Sequence, residues 1–201
     1  MKPLFITGIG TDVGKTLVSA VLVEKFKYDY WKPIQSGDLD NSDTIKVKRL
    51  VSNTKSAFHP ETYRLTQPFS PHKSADLDGI EIDFDHINLP ETDNRLLIEG
   101  AGGLMVPLNQ RYFVIDLIEK LNAEAILVVK NYLGSINHTL LSLELLKHRK
   151  IPLKGIIFNG DSDPYSESLI INYSQAMVLG RIPFVADLDK TTIIDLGRFL
   201  Y

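Results

Sequence analysis

The stretch Gly8-Ile9-Gly10-Thr11-Asp12-Val13-Gly14-Lys15-Thr16 follows the apolar run Leu4-Phe5-Ile6 and opens a segment rich in apolar residues. An apolar run, a glycine-rich turn and Gly-Lys-Thr at the head of a helical pattern restrict the local fold to strand, loop and helix. Glycines let the backbone curl so that several N–H groups face one anion, and the helix adds its positive N-terminal end. Lys15 then reaches the outer phosphates of a bound nucleotide, and the Thr16 hydroxyl sits on Mg2+. The common spacing puts a glycine five residues before Gly14; here that position is Ile9, flanked by Gly8 and Gly10. The plainer reading is a strand-to-helix turn with a surface lysine. The order of strand, loop and helix favours the phosphate loop.

A chain of 201 residues can bury one sizeable core and is short for two domains, so residues 1–201 are expected to form a single domain. Hydrophobic residues at 44% and charged residues at 23% suit a water-soluble globular protein. The net charge of -3 gives no global attraction to nucleic acid or to an anionic membrane, so neither is expected as a partner. Cysteine is absent, which excludes disulfides, thiolate metal sites and cysteine nucleophiles. The sequence runs from Met1 almost directly into the first apolar segment, and its longest apolar runs, such as Ala125-Ile126-Leu127-Val128-Val129, are far shorter than a membrane span. A cytoplasmic location is expected.

Past the loop, Leu17, Val18, Ala20, Val21, Leu22 and Phe26 predict a buried helix with Lys25 and Lys27 at its C-terminal end. Tyr30-Trp31-Lys32-Pro33-Ile34 reads as one short strand and Gln35-Ser36-Gly37 as a turn. Asn41-Ser42-Asp43 begins a second helix to Val51, with Ser42 or Asn41 as its cap. Residues 52–90 carry prolines at 60, 68, 71 and 90 and read as an excursion over the sheet. Within it Tyr63-Arg64-Leu65 is a short extended piece, Ser70-Pro71-His72 a turn, and residues 83–87 a possible helix.

Regularity returns with a strand over Arg95-Leu96-Leu97-Ile98-Glu99, ending on the acid and followed by a turn at Gly100-Ala101-Gly102-Gly103. Helices are predicted over 112–121, 135–150, 165–177 and 191–200, and strands over 125–129, 153–158 and 181–185. Short apolar strands alternating with amphipathic helices predict an α/β fold, a mainly parallel central sheet with helices on both faces. In such folds ligands bind beyond the carboxyl ends of the strands. That edge collects the phosphate loop, residues 32–37, residues 99–103, residues 132–138 and Asn159-Gly160.

Lys32 at the end of an apolar strand needs an anionic partner, although it could also cap a sheet edge. Glu99, closing an apolar strand beside the loop, suits a Mg2+ ligand, since that ion prefers carboxylate, hydroxyl and phosphate oxygens. Asp43 near a helix N-terminus is favourable for the dipole with or without a metal, and the residues leave both readings open. Asn159 could read a nucleobase edge or simply form an Asn-Gly turn. His59, His72, His86 and His148 share no ligand-like spacing, so no histidine metal site is expected.

Taken together these segments resemble the dethiobiotin synthetase family of P-loop NTPase-type proteins. The matches are the extended loop ending in Gly14-Lys15-Thr16, Lys32-Pro33-Ile34-Gln35-Ser36-Gly37, Asn41-Ser42-Asp43, Ser70-Pro71-His72, Glu99-Gly100-Ala101-Gly102-Gly103 and Leu133-Gly134-Ser135-Ile136-Asn137-His138. They run in family order along nearly the whole chain, and the longer loop is that family's form. The resemblance implies a three-layer α/β/α fold and a cyclo-ligase of biotin biosynthesis. Such an enzyme uses ATP to close 7,8-diaminononanoate and CO2 (or bicarbonate) into a cyclic urea. It implies that Thr16, Asp43 and Glu99 hold Mg2+, that Asp12, Val13, Gly14, Lys15, Thr16 and Leu17 wrap the phosphates, and that Glu99, Gly100, Ala101 and Gly102 line the nucleotide. Lys15 and Lys32 are the implied catalytic residues, with Thr11 and Ser36 at the reacting end of the substrate. Asn159, Gly160, Pro183, Phe184 and Val185 would meet the base. The family is homodimeric, and Gly134, Ser135 and Asn137 would reach the partner's substrate carboxylate.

The sequence departs from the family at Tyr132, where a lysine is usual, at Gly160, where an aspartate is usual, and over residues 187–190. A rival is a P-loop switch ATPase of the partitioning or nitrogenase-iron-protein kind. Those proteins carry a second lysine early in the loop, and residues 9–13 contain none. Amide-forming relatives need a glutaminase domain too large for this chain, and a small-molecule kinase needs a lid with arginines, which are few and scattered here.

Overall fold

The computed structural model describes residues 1–201, and its central feature is a seven-stranded sheet in which every strand pair is parallel. β1 (Leu4–Gly8) is buried along its whole length and leads through the phosphate loop into α1 (Lys15–Phe26). Left-handed conformations at Gly14 and Lys27 set the two ends of that helix. β2 (Asp29–Trp31) returns beside it.

The single strand expected over residues 30–34 is two strands. Pro33 has no amide to continue a ladder, so the chain leaves the main sheet after Trp31. It forms β3 (Ile34–Ser36), where a turn was expected, and β3 pairs in parallel with β5 (Tyr63–Leu65) as a separate two-stranded sheet. Gly37, in a left-handed conformation, makes the turn that follows. Between β3 and β5 lie α2 (Asp43–Leu50), capped by the Ser42 hydroxyl on the Ile45 amide, and β4 (Phe58–His59), an edge strand without a sequence signal. The turn expected at residues 70–72 is the start of α3 (Pro71–Asp78): proline takes the first helical position, where no amide is needed. Residues 84–86 form only a 3-10 turn.

β6 (Leu96–Gly103) runs through the glycines where a turn was expected. Its register with β1 slips there, from Ile6 opposite Glu99 to Gly8 opposite Gly103, so the extra residues bulge toward the loop. α4 (Val114–Lys120), β7 (Glu124–Val129), α5 (Ser135–His148), β8 (Leu153–Asn159) and α6 (Pro164–Ser174) follow close to expectation. The last strand, β9 (Val178–Ile182), lies earlier than the expected 181–185, because Pro183 stops the ladder that the strand had to begin upstream. α7 (Lys190–Leu196) and a 3-10 turn close the chain.

The strand order is β4-β2-β6-β1-β7-β8-β9, with β1 at the centre. In β1 and β6 successive residues feed opposite cores. Leu4, Ile6, Leu97 and Val128 pack with α1, α6 and α7 on one face, while Phe5, Leu96, Ile98 and Ala125 pack with α3 and α4 on the other. Helices thus cover both faces, and every strand of the sheet points its carboxyl end at the same edge. No helix is long and apolar enough to cross a membrane.

Candidate active site

At that edge the phosphate loop makes a cup of backbone donors. The Ile9 amide bonds the Val128 carbonyl and the Val18 amide bonds Gly14, but the amides of Gly10, Thr11, Asp12, Val13 and Gly14 have no acceptor within the chain. The first turn of α1 adds unpaired N–H groups of its own. A row of amides turned inward by left-handed residues, here Asp12 (φ 57°) and Gly14 (φ 91°), is a receptacle for phosphate. A side chain at Gly14 would put its Cβ 2.0 Å from Asn159 Nδ2, so the loop and the end of β8 touch there with nothing between them. The Asn159 amide donates to the Val13 carbonyl at 2.9 Å and supports the loop from behind.

Lys15 is buried beside the cup and donates to the Gly10 carbonyl at 3.1 Å. Burial lowers its pKa, a shift the Glu99 carboxylate opposes and the Lys32 ammonium assists.

Next to the cup lies a buried cluster of charge. Glu99 is held midway along β6, just before the register slips, with no side-chain exposure. Its Oε2 accepts from the Ser19 hydroxyl at 2.7 Å and the Tyr30 hydroxyl at 3.0 Å; its Oε1 accepts from the Thr16 hydroxyl at 2.9 Å. The Lys32 ammonium bridges Glu99 Oε1 at 3.3 Å and Asp43 Oδ2 at 2.5 Å. Burial by itself would lower the pKa of Lys32, but Glu99 and Asp43 outweigh it and hold the group above its ordinary value, firmly protonated. Burial would raise Asp43; Lys32, then Lys46, hold it below the ordinary carboxylate range instead. The Tyr30 hydroxyl is pushed well up by burial and by the neighbouring Glu99 charge, so it stays a donor.

Ser36 lies beyond Lys32 on β3, and its hydroxyl is buried without a hydrogen-bond partner in the chain. These parts share one cleft of about 750 Å³, lined by Thr11, Asp12, Gly14, Lys15, Thr16, Lys32, Ser36, Asp43, Glu99, Ala101 and Gly102, with residues 68–71 as its outer wall. Gly102, at φ 64°, turns the bulged end of β6 under Thr11 and Val106. Val13 and Leu17 belong to the loop and the helix behind it, and Gly100 packs its backbone against Phe5.

The remaining sequence candidates stand outside this cleft. Gly160 follows Asn159 at the end of β8, its amide on the Ile182 carbonyl. Pro183, Phe184 and Val185 form the segment after β9, with Phe184 largely in solvent. Gly134 caps α5 in a left-handed conformation, and Ser135 and Asn137 lie in the first turn. Sequence reasoning missed Ser19 and Tyr30. Ser19 looks like any small residue on the buried face of α1, and Tyr30 like one more aromatic in a strand; only the approach of β2 and α1 to Glu99 gives their hydroxyls a role.

The donor set suits one kind of metal. Thr16, Asp43 and Glu99 offer hard oxygens only, and no group of three acids or histidines that could hold a metal occurs in the chain. Two carboxylates and a hydroxyl fit Mg2+, which keeps waters and takes phosphate oxygens for its other positions.

A family model described as an AAA domain matches residues 2–192. The ATP-dependent dethiobiotin synthetase of Christiangramia forsetii is 56% identical over 181 residues, covering 90% of this chain and 87% of the relative. That of Cytophaga hutchinsonii is 50% identical over 180 residues (89% and 87%), and that of Paramagnetospirillum magneticum 41% identical over 196 residues (98% and 95%). Among solved structures, the Aquifex aeolicus MinC:MinD cell division protein complex superposes with a TM-score of 0.57 at 16% identity, covering 98% of this chain and 95% of that chain. A ParA family ATPase from Chlorobium tepidum gives 0.52 at 14% identity over the full length of both chains. At such identities the likeness to these two is one of fold.

Proposed function

The chain belongs to the family of ATP-dependent dethiobiotin synthetases, and on that premise we propose that its cleft closes 7,8-diaminononanoate and CO2 into dethiobiotin, releasing ADP and phosphate. The observation that carries this reading is the adjacency of two anion sites in one cleft. One is the amide cup with Lys15; the other is the Lys32 ammonium with the unpartnered Ser36 hydroxyl. A switch ATPase needs only the first.

In the proposed reaction one amine of the substrate is carbamated by CO2, a carbamate oxygen attacks the γ-phosphate, and the second amine closes the ring and expels phosphate. Carbamate and triphosphate are both anions, and bringing them into contact costs several kcal/mol unless positive charge lies between them. Lys15 and the loop amides hold the triphosphate, and Lys32 and Ser36 orient the carbamate toward it, with Thr11 beside them. Thr16, Asp43 and Glu99 would hold Mg2+, which when bound neutralises charge on the transferring phosphoryl group. Ser19 and Tyr30 keep Glu99 correctly turned by donating to its far oxygen.

The base is assigned to Asn159, Gly160, Pro183, Phe184 and Val185, which border the loop on the β8–β9 side. Two copies of the chain are assigned to a homodimer in which Gly134, Ser135 and Asn137 reach the partner's substrate carboxylate. Leu133, fully exposed, together with the exposed Met105 and Leu141 beside the loop, supports an apolar contact between copies. The 201 residues act as one domain in this reading, in the cytoplasm, where ATP is supplied.

Phosphate release is the test. It should require both 7,8-diaminononanoate and bicarbonate, and turnover unaffected by the diamine would exclude the reading. Sedimentation should give twice the monomer mass, and a monomer at assay concentrations would exclude the shared site.

A further inference from the structure

Two of the three groups assigned to Mg2+, Asp43 and Glu99, already converge on a positive charge, and that charge belongs to the chain. Lys32 lies between Asp43 and Glu99 at hydrogen-bond distance from both, and the Thr16 hydroxyl meets the same Glu99 oxygen that Lys32 does. Lys32 and Glu99 are buried, and Glu99 has no other cation in contact. Two carboxylates that meet in such a place repel each other at a high cost unless a cation is shared between them. The other charges facing the cluster do not fill that role. Lys15 is bonded to the Gly10 carbonyl, and Lys46 lies on the outer oxygen of Asp43 at 3.5 Å, shared with Asp38.

We propose that Lys32 is the resident counter-ion of the Asp43–Glu99 pair, and that a divalent metal arriving with the nucleotide displaces its ammonium toward the second anion. This rests on the reading that Thr16, Asp43 and Glu99 are the metal's protein ligands. Before the nucleotide binds, a free divalent cation would have to drive the ammonium out of the carboxylate pair with no anion to receive it. Two cations would then share a buried space that neutralises only one comfortably. Nucleotide-free protein therefore resists divalent metal. When the triphosphate brings further negative charge with its metal, the ammonium is released and becomes available to the carbamate. One lysine thus serves two anions in succession, and neither the carboxylate pair nor the lysine is left uncompensated at either stage.

The test is a titration of Mn2+ into nucleotide-free wild-type protein, Lys32→Met and Lys32→Gln, following free Mn2+ by its paramagnetic resonance signal. Both variants should bind one Mn2+ about tenfold or more tighter than wild type. Added MgCl2 should raise their thermal midpoints and leave that of wild type unchanged. If Lys32→Met does not fold, Lys32→Gln, which keeps much of the volume and a polar end, carries the comparison. A second readout is independent of variant stability: ADP should strongly enhance Mn2+ binding to wild type, and much less to Lys32→Gln. Equal Mn2+ affinity in wild type and variants, or equal enhancement by ADP, overturns the proposal. A Glu99→Gln control separates the premises. Undiminished Mn2+–ADP binding in that variant would remove the metal assignment itself; diminished binding together with unchanged Lys32 variants would remove only the counter-ion role.

Discussion

Substitution of Gly14 by alanine tests the packing of the phosphate loop on β8. Gly14 has φ 91°, and an L-residue there costs about 1–2 kcal/mol whatever surrounds it. The new Cβ would also fall 2.0 Å from Asn159 Nδ2 and 3.0 Å from its Cγ, so the amide must move. Moving it breaks the bond to the Val13 carbonyl, a further loss of about 1 kcal/mol. Gly14→Ala alone should therefore destabilise by about 2–4 kcal/mol, with residual strain in the loop. Asn159→Ala alone should cost about 1 kcal/mol, the value of the hydrogen bond. In the double variant the collision is gone and the hydrogen bond is lost only once, so the two changes should fall short of additive by about 1–2 kcal/mol. Urea denaturation followed by circular dichroism, with the slope checked for constancy, measures each corner of the cycle. The KM for ATP should rise in Gly14→Ala and recover in part in the double variant. Strict additivity, or a Gly14→Ala protein as stable as wild type, would refute the close packing from which these values are worked.

The other predictions address chemistry and pH. Lys32→Gln should lower kcat by at least about 10²-fold while leaving ATP affinity within a few-fold, measured by steady-state kinetics and nucleotide titration. Removing the donors that turn Glu99, by Tyr30→Phe or Ser19→Ala, should weaken the Mg2+ dependence of turnover about 10–100-fold, read as a shift of the Mg2+ activation curve. Glu24 ties the end of α1 to the loop that follows α2. Burial would raise its pKa, but the Lys27 ammonium and the amides of Ser52 and Asn53 bring it down from 4.5 to about 2. A carboxyl depressed in the folded state stabilises above its unfolded pKa and loses that contribution as pH falls through the folded one. Wild-type stability should therefore drop between pH 4.5 and 2, and Glu24→Gln should flatten that limb, with denaturant midpoints at pH 5 and pH 3 as the measurement.

Two sets of residues could be read early because their signals are local. The loop from Gly8 to Thr16 states its own geometry, since glycine spacing, a preceding apolar run and a following helix pattern all act within a few bonds of one another. Strands such as Glu124–Val129 and helices such as Ser135–His148 followed from apolar periodicity for the same reason. Two of the misjudged segments have a form that depends on a distant partner. Residues 34–36 are extended because Tyr63–Leu65 lies alongside, and the glycines after Glu99 stay in the ladder because Gly8 receives them.

The site divides along the same line. By itself the sequence determined that a phosphate-binding loop, a lysine just past one apolar strand and an acid on another exist, because side-chain chemistry and chain spacing carry that much; that the second strand runs on past the acid was not legible. Only the tertiary structure decided that Lys32 lies between Asp43 and Glu99, with Ser19 and Tyr30 holding the far oxygen. Those five residues come from β2, the turn after it, α1, α2 and β6, separated by up to 80 positions. The distances among them are set by the parallel register of β2, β6 and β1 rather than by the chain between them.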